Sequence, residues 1–295
     1  MDEKIFWKDA APGCSKSEPF LQWGSLNSDF RLHRHDFCEL VFILRGCAVH
    51  IINGEYYRLS PGHVYLLTGD MLHGFAGVSG LELVNILFHP AQVLLHAQLR
   101  HIQAYRALFE IEPRYRLSSG QQAWLTLPQP LLHDVEADLR QMYREQALRQ
   151  EGYQLALQCM MNQLVVKLSR CYTTQAKQEL NPPMQLAEAI AYMESHFTED
   201  IRIADAAALT HYSTRHFCRL FHSLYGKPPR EYLITLRLEQ AQKLLRETTQ
   251  SISEIAGSCG FSDSSYFTRL FGERLGATPR QFRKQTLHGK QNGNG

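Results

Sequence analysis

No stretch of this 295-residue chain approaches the roughly 20 consecutive apolar residues that a membrane helix needs, so no membrane partner is expected. The opening Met1-Asp2-Glu3-Lys4 lacks a basic segment followed by an apolar one, and no secretory signal is read there. The seven cysteines stand singly, without a Cys-x-x-Cys pair, and their odd number closes no disulfide framework. Scattered thiols of this kind fit a reducing, cytoplasmic setting better than a zinc ribbon. Net charge is scarce as well, at +2, and argues neither for nor against nucleic acid. No nucleophile stands at a recognisable spacing from a base, so catalysis has little support and no enzyme is expected.

What the chain does have is an ordinary globular composition, 44% hydrophobic and 20% charged, over a length that fits about two domains. Its charge is unevenly spread. Residues 184–295 hold 14 Lys+Arg against 11 Asp+Glu, and within 213–237 Arg215, Arg219, Lys227, Arg230 and Arg237 face only Glu231, a local positive surface.

From about Phe30 to Phe88 the signals are those of short strands. His33, His35, Phe37, Glu39, Val41 and Ile43 alternate with period two, which places them on one face of an extended segment. Asn53-Gly54 between two β-rich runs predicts a two-residue hairpin turn with positive φ at both positions. Further turns at Ser60-Pro61-Gly62 and Thr68-Gly69-Asp70 separate more strands, including Val64-Tyr65-Leu66-Leu67, and the whole reads as a small barrel or sandwich. The spacing His33-x-His35-x3-Glu39-x6-Gly46, followed by His73, resembles the two motifs of the cupin barrels, whose enzymes bind a transition metal through those residues. The match is partial: Asn27 stands for the first motif's early glycine, and Thr68, Asp70 and Gly77 for the second's proline, second glycine and terminal asparagine. Three readings stay open: a metal centre, a pocket for one small ligand, and hydrogen-bonded core histidines. The reading carried forward is the pocket, holding neither metal nor other cofactor, with His33, His35, Glu39, Tyr65 and His73 as its ligand-binding residues.

After His89-Pro90 the pattern becomes helical, first from Ala91 to Glu110, then, beyond a loop at Ser118-Ser119-Gly120, from Leu131 to Arg149 and from Tyr153 to Tyr172. In the last of these Leu157, Met160, Met161, Leu164, Val165 and Leu168 form a stripe that must be buried, with packing inside the chain as the default. Residues 173–183 are polar and close on two prolines, as an interdomain linker does. The expected organisation is thus α+β, with an N-terminal cupin-like β-barrel and a following helical segment over residues 1–172, a linker over 173–183, and an all-α domain over 184–295.

That last domain writes one two-helix pattern twice, beginning at Ile203 and at Ile252. The offset is 49 at these isoleucines and 50 between Arg219 and Arg269, so the second copy has one extra residue before its second helix. Two such units make a tandem helix-turn-helix. Ser251-Ile252-Ser253-Glu254 has capping-box spacing, Ser213 and Ser262 or Asp263 sit where N-caps belong, and Gly226 and Gly276 where left-handed stops belong. Phe217, Leu220, Phe221 and Leu224 are spaced for a core, as are Phe267, Leu270 and Phe271. Thr214, Arg215, Cys218 and Arg219 face outward in one helix, and Ser264, Ser265, Thr268 and Arg269 in the other. Arginines and hydroxyls near a helix N-terminus suit the major groove, since Arg pairs bidentately with guanine and hydroxyls reach base edges or phosphates. The connecting helix, about Glu231 to Arg246, spans roughly 24 Å.

The second copy, Ile252-x2-Ile255-Ala256-x3-Gly260-Phe261-Ser262-Asp263-x2-Tyr266-Phe267-x-Arg269-x-Phe271 followed by Gly276-x-Thr278-Pro279-x2-Phe282-Arg283, resembles the AraC/XylS family of bacterial transcription regulators. The first copy and Arg237, Ala241 and Leu244-Leu245 extend the likeness. The resemblance implies that both second helices enter successive major grooves of double-stranded DNA, with Arg215, Cys218, Arg219, Asp263, Ser265 and Arg269 at base contacts. Cys218 replaces a longer polar residue at its place. Glu254 falls where related activators carry an acid facing the sigma subunit of RNA polymerase, and its other reading is the capping box alone. His35-Asp36-Phe37-Cys38-Glu39-Leu40-Val41, with Gly46 and Asn53, is most like the L-rhamnose-responsive members, which implies a sugar effector. Such domains dimerise through helices after the barrel, which points to a homodimer and to the 153–172 stripe as its interface. A metal-dependent cupin enzyme fused to a DNA-binding domain, and a repressor without ligand, are the alternatives.

Overall fold

Two long strands, β4 (Cys38–Ile52) and β7 (His73–Phe88), pair with each other along most of their length and organise the N-terminal half. The computed structural model describes residues 3–89, 99, 101–113, 115, 125–176 and 181–291, and the chain divides into two units, Met1–Met184 and Gln185–Gly295. In the first unit β1 (Glu3–Ile5), β2 (Phe20–Leu26), β3 (Phe30–His35), β5 (Glu55–Arg58), β6 (His63–Leu67) and β8 (Leu125–Thr126) join the long pair in one sheet, ordered β1-β3-β7-β4-β6-β8, with β2 on β7 and β5 on β4. The first half of β4 lies between β6 and the second half of β7, which β2 flanks; the second half of β4 lies between β5 and the first half of β7, which β3 flanks.

Between these halves the register of β4 on β7 shifts three times from Ile43 to Val49. Gly46 sits in that bend at φ 78°, and a Cβ there would stand 2.1 Å from the Gly80 carbonyl oxygen, so only glycine lets the strands cross so closely. The sheet therefore folds over on itself with its two halves face to face. Among the described residues its strands do not close into a ring: the expected cupin-like barrel is realised as an open, folded sheet. The hairpin between β4 and β5 turns on Asn53 and Gly54, both at positive φ (50° and 88°), as the dipeptide predicts.

A short helix, α1 (Trp7–Ala10), crosses the N-terminal end of the sheet, where Trp7, Ala11, Phe37 and Leu87 form a small cluster. The main cluster of Val41, Ile43, Leu59, Tyr65, Leu67, Phe75, Leu81 and Leu83 fills the fold between the halves. Helix α2 (Gln103–Tyr105) runs directly into a π-helical turn, Arg106–Ile111. Most of the predicted helix before it, and the Ser118-Ser119-Gly120 loop, lie outside the described residues. Helix α3 (Gln129–Leu148) lies against β2, where the Gln146 amide accepts from Leu21 N–H at 2.7 Å and donates to Leu21 C=O at 2.9 Å. Helix α4 (Tyr153–Ala176) packs on α3, and Leu157, Met161, Leu164, Val165 and Leu168 are each no more than 1% exposed. All of the stripe expected to be a dimer interface except the half-buried Met160 is thus buried by its own chain, the hydrophobic demand having been met largely within it. Residues 173–176 of the expected linker continue α4, and α5 (Pro182–Ser195) starts at its closing prolines, with the Asn181 side chain accepting from Met184 N–H.

In the second unit the repeat appears as α6 (Ile203–Ala208) and α7 (Thr214–Tyr225), then α9 (Ile252–Ser258) and α10 (Ser264–Leu275). Between them runs α8 (Pro229–Glu247), whose 19 residues span about 28 Å. α11 (Pro279–Gln291) follows the second copy. Ser213 and Asp263 cap α7 and α10, and Gly226 and Gly276 stop them at φ 68° and 72°. The turn inside each unit needs one left-handed residue: His211 at φ 55° in the first copy and Gly260 at φ 80° in the second. The extra residue of the second copy lies just after that position, where Phe261 and Ser262 precede the cap and Tyr212 alone does so in the first. Gly260 is confined further, because a Cβ would come within 2.7–2.9 Å of the Thr198 backbone. Arg237 of α8 holds the same loop, donating to Phe197 C=O at 2.6 Å and to Glu199 C=O at 2.8 Å with its guanidinium over Phe261.

Gly260→Ala adds both left-handed strain and overlap with Thr198, and is expected to lower the stability of the second unit by roughly 2 to 4 kcal/mol in urea unfolding. His211→Gly relieves the same strain where the first copy carries a side chain, and should raise stability by about 0.5 kcal/mol.

Candidate functional site

The fold in the sheet encloses a cavity of about 330 Å³. Its walls come from both halves and from the N-terminal segment: His33 and His35 from β3, Glu39 from β4, His73 and Asn85 from β7, Gln22 from β2, and Asp9 from α1, among apolar neighbours such as Phe30, Phe37 and Leu83. Four of the five residues expected to bind ligand are therefore brought together. Tyr65 is not. Its ring is 1% exposed in the main core cluster, against His50, with its hydroxyl 3.4 Å from His63 Nδ1, because Val41, opposite it in β4, directs that face of β6 into the core.

Three of these side chains converge on one point. His35 Nε2 lies 3.5 Å and His73 Nε2 3.4 Å from the same Glu39 oxygen, Oε2. All three residues are buried, at 1%, 2% and 5% exposure, and none of these three atoms has a hydrogen-bond partner. The outer nitrogens are engaged: His35 Nδ1 meets Phe37 C=O at 2.6 Å, and His73 Nδ1 lies 3.5 Å from His50 Nε2. His33 stands beside His73, ring centroids 4.2 Å apart, with Nδ1 3.1 Å from Arg31 C=O. Burial pushes the His73 imidazole well below its ordinary 6.5, with the neighbouring histidines adding to the effect, and burial lowers His33 as well. Next to them burial raises the Cys38 thiol to about 11, so it stays protonated. The walls hold imidazole rings and one carboxyl group whose facing atoms lack hydrogen-bond partners, an arrangement that can bind the hydroxyl groups of a ligand.

Sequence reasoning missed Asn85, whose buried Oδ1 lacks a hydrogen-bond partner, and Gln22 and Asp9. For Asn85 a signal existed: it is the one amide in the run Leu83–Phe88, in period-two register with Leu83 and Leu87. Gln22 and Asp9 carry no such contrast.

In the second unit the expected outward residues of α7 are exposed at Thr214, Arg215 and Arg219 and partly covered at Cys218. Arg219 donates to His216 Nδ1 at 3.2 Å, which orients it along the helix without neutralising it. In α10 Ser265 and Arg269 are exposed, and Ser264 and Thr268 half-buried. Asp263 spends one carboxylate oxygen capping the helix, accepting from Ser265 N–H at 2.7 Å, and the Thr268 hydroxyl donates to Ser264 C=O at 2.8 Å. Arg269 lies 4.0 Å from Glu273 and over the Tyr266 ring. Glu254 is exposed and closes the capping box, its Oε2 accepting from Ser251 N–H at 2.7 Å while its own N–H donates to Ser251 Oγ at 3.2 Å. Those bonds hold its carboxyl below the usual range.

Comparison with known proteins matches both units. A family model described as an AraC-like ligand binding domain covers residues 20–165, and a helix-turn-helix domain model covers residues 206–285. The HTH-type transcriptional activator RhaR of Cronobacter sakazakii is 30% identical over 268 residues, 87% of this chain and 87% of its own length. RhaS activators of Enterobacter sp. and Escherichia fergusonii are 28% and 29% identical, over 86% and 90% of this chain and 88% and 91% of theirs. Among the described residues no helix is long and apolar enough to cross a membrane. An enzyme fused to a DNA-binding domain is set aside on these grounds, and the chain belongs to the AraC family of transcriptional regulators.

Proposed function

We propose that this regulator activates carbohydrate catabolic genes when a sugar, L-rhamnose or a close relative, occupies the cavity of its first unit. The observation that carries the reading is the cavity itself, about 330 Å³ with buried polar atoms on Glu39, His35, His73 and Asn85 that lack partners. A volume of that order holds one small ligand, and a polyhydroxylated one supplies the donors those acceptors lack. The resemblance to the L-rhamnose regulators and the likeness to activators named RhaR and RhaS favour a sugar and favour activation. His33, His35, Glu39 and His73 contact the effector in this reading, joined by Asn85.

Thr214, Arg215, Cys218 and Arg219 of α7, with Asp263, Ser264, Ser265, Thr268 and Arg269 of α10, read the operator. The two helices contribute unequally. Among the described residues Arg215 and Arg219 pair with no carboxylate, whereas Arg269 lies near Glu273 and Asp263 is occupied as a cap, so α7 makes the stronger base contacts and α10 mainly positions the protein on phosphates. Glu254, exposed and ionised, faces the polymerase sigma subunit. A homodimer belongs to the same reading; with most of the 153–172 stripe buried, Leu148 and Leu155, each 66% exposed, are among the described apolar residues that could contribute to it. Effector binding shifts the chain between an inactive and an active arrangement, and moving 1:99 to 99:1 takes about 5.5 kcal/mol of differential binding.

Arg219→Ala and Arg269→Ala are each expected to weaken specific operator binding by about 1 to 3 kcal/mol where a bidentate guanine pair is lost, with the larger effect at Arg219. Unchanged affinity and sequence preference in both would remove them as base readers. Calorimetric titration of the full chain with L-rhamnose and a panel of other sugars should show one clear binder, and Asn85→Leu should weaken it at least tenfold. Heat from none of them would end the sugar-sensor reading in favour of a ligand-independent regulator.

A further inference from the structure

We propose that His216 is a positioning residue for operator reading: it holds the Arg219 guanidinium toward the N-terminal turn of α7, the end from which a recognition helix meets base edges. This rests on the reading above that Arg219 contacts a base, and adds what fixes that contact. A side chain on a helix leans toward the N-terminus, so it meets the residue three positions earlier. Arg219 Nη2 accordingly donates to His216 Nδ1 at 3.2 Å. Arginine can only donate, so Nδ1 is the acceptor and the proton of the neutral ring sits on Nε2.

The imidazole is itself held from the interior. Thr210, fully buried in the turn between α6 and α7, donates to Ala207 C=O at 2.7 Å and accepts from Tyr212 N–H at 3.3 Å. The Tyr212 ring then stacks on His216, with centroids 4.5 Å apart and 27° between the planes. A chain of contacts thus runs from the core of the unit through two rings to an exposed guanidinium. The second copy builds the same path from different atoms. Phe261 lies beside Tyr266, which takes the place of His216, and the Arg269 guanidinium stands 5.7 Å from the Tyr266 ring centroid. There the ring offers only its face, and Glu273 is 4.0 Å from Arg269 on the following turn. In the first copy Ser223 holds that later place, its hydroxyl donating to Leu220 C=O at 2.7 Å. Arg219 therefore has a directional partner on its N-terminal side and a hydroxyl, not a carboxylate, one turn on. A bidentate guanine pair needs a fixed guanidinium plane, and a side chain already ordered gives up less freedom on binding.

The test uses the full chain and the duplex that it selects from random-sequence DNA, with each base pair of that duplex then changed in turn. Arg219→Ala should flatten discrimination at one base pair. His216→Phe, which keeps a ring and removes the acceptor, should lower discrimination at that same base pair by roughly three- to tenfold, the range for losing the order of one long side chain. Its affinity for unrelated DNA and its thermal unfolding profile should match the wild type. His216→Asn, whose Oδ1 falls close to the place of Nδ1, should keep most of the discrimination. Tyr212→Leu, which lies outside the helix, should show a smaller loss at the same base pair, and carries the test if His216→Phe unfolds early. A loss spread evenly over all base pairs, or none where Arg219→Ala shows one, would overturn the positioning role alone. Equal loss in His216→Asn and His216→Phe would overturn the hydrogen bond as its cause. Preference altered at no base pair by Arg219→Ala would overturn base reading by that residue, and the role of His216 with it.

Discussion

The pairing of β4 with β7 is the interaction on which the first unit depends. Each strand is long enough to serve two halves of the sheet, and the bend at Gly46 turns one half over the other. Only this crossing brings Glu39, which pairs with Leu67 and Leu87, against His73, which pairs with Ile52 and His33. A shift of one residue in that register would turn the same side chains to the opposite face and dissolve the cavity. The wall so formed is costly, because each buried polar atom without a partner disfavours folding by about 1 to 3 kcal/mol. The apolar cluster from Val41 to Leu83 offsets that cost, and the unpaired atoms are what a ligand can use.

The second unit solves a different problem, that of presenting two similar helices on one rigid frame. Arg237 and Gly260 do this from opposite sides of the loop at Phe197–Glu199: the arginine donates two hydrogen bonds to its carbonyls, and the glycine leaves room for Thr198. The Arg274–Glu231 pair, 2.6 Å apart, adds a tie between α10 and the start of α8. Within this frame the two copies have diverged. Among the described residues, Arg215 and Arg219 of the first helix pair form no ion pair with a carboxylate, and the second copy commits Asp263, Glu254 and Thr268 to its own helix ends and turns.

Much of this was legible in the sequence because local rules decided it. Asn53-Gly54, the caps at Ser213 and Ser251, the stops at Gly226 and Gly276, and the cores of α7 and α10 follow from backbone conformations that few residue types satisfy. The cluster of His33, His35, Glu39 and His73 was visible as a spacing, but the convergence of His35 and His73 on one oxygen of Glu39 needed the fold of the sheet. Residues 3–26 were not read as strands, since β1 has three residues and β2 turns Gln22 and Gly24 as well as Leu26 toward the cavity, which breaks the apolar alternation. Tyr65 pairs with Val41, two residues beyond Glu39 on the same face, and alternation gives that face without saying that the cavity has ended there and the apolar cluster begun. The stripe on α4 demanded burial, and the sequence could not say that α3 of the same chain supplies it.

Occupancy of the chromosome by the tagged full chain, measured with and without the sugar that binds the cavity, tests the central claim most directly. A sugar-responsive regulator should occupy a few discrete sites beside carbohydrate catabolic genes, each with two recognition elements about one helical turn apart, and transcription from them should rise with the sugar. Discrete sites whose occupancy and transcription are indifferent to that sugar would contradict it.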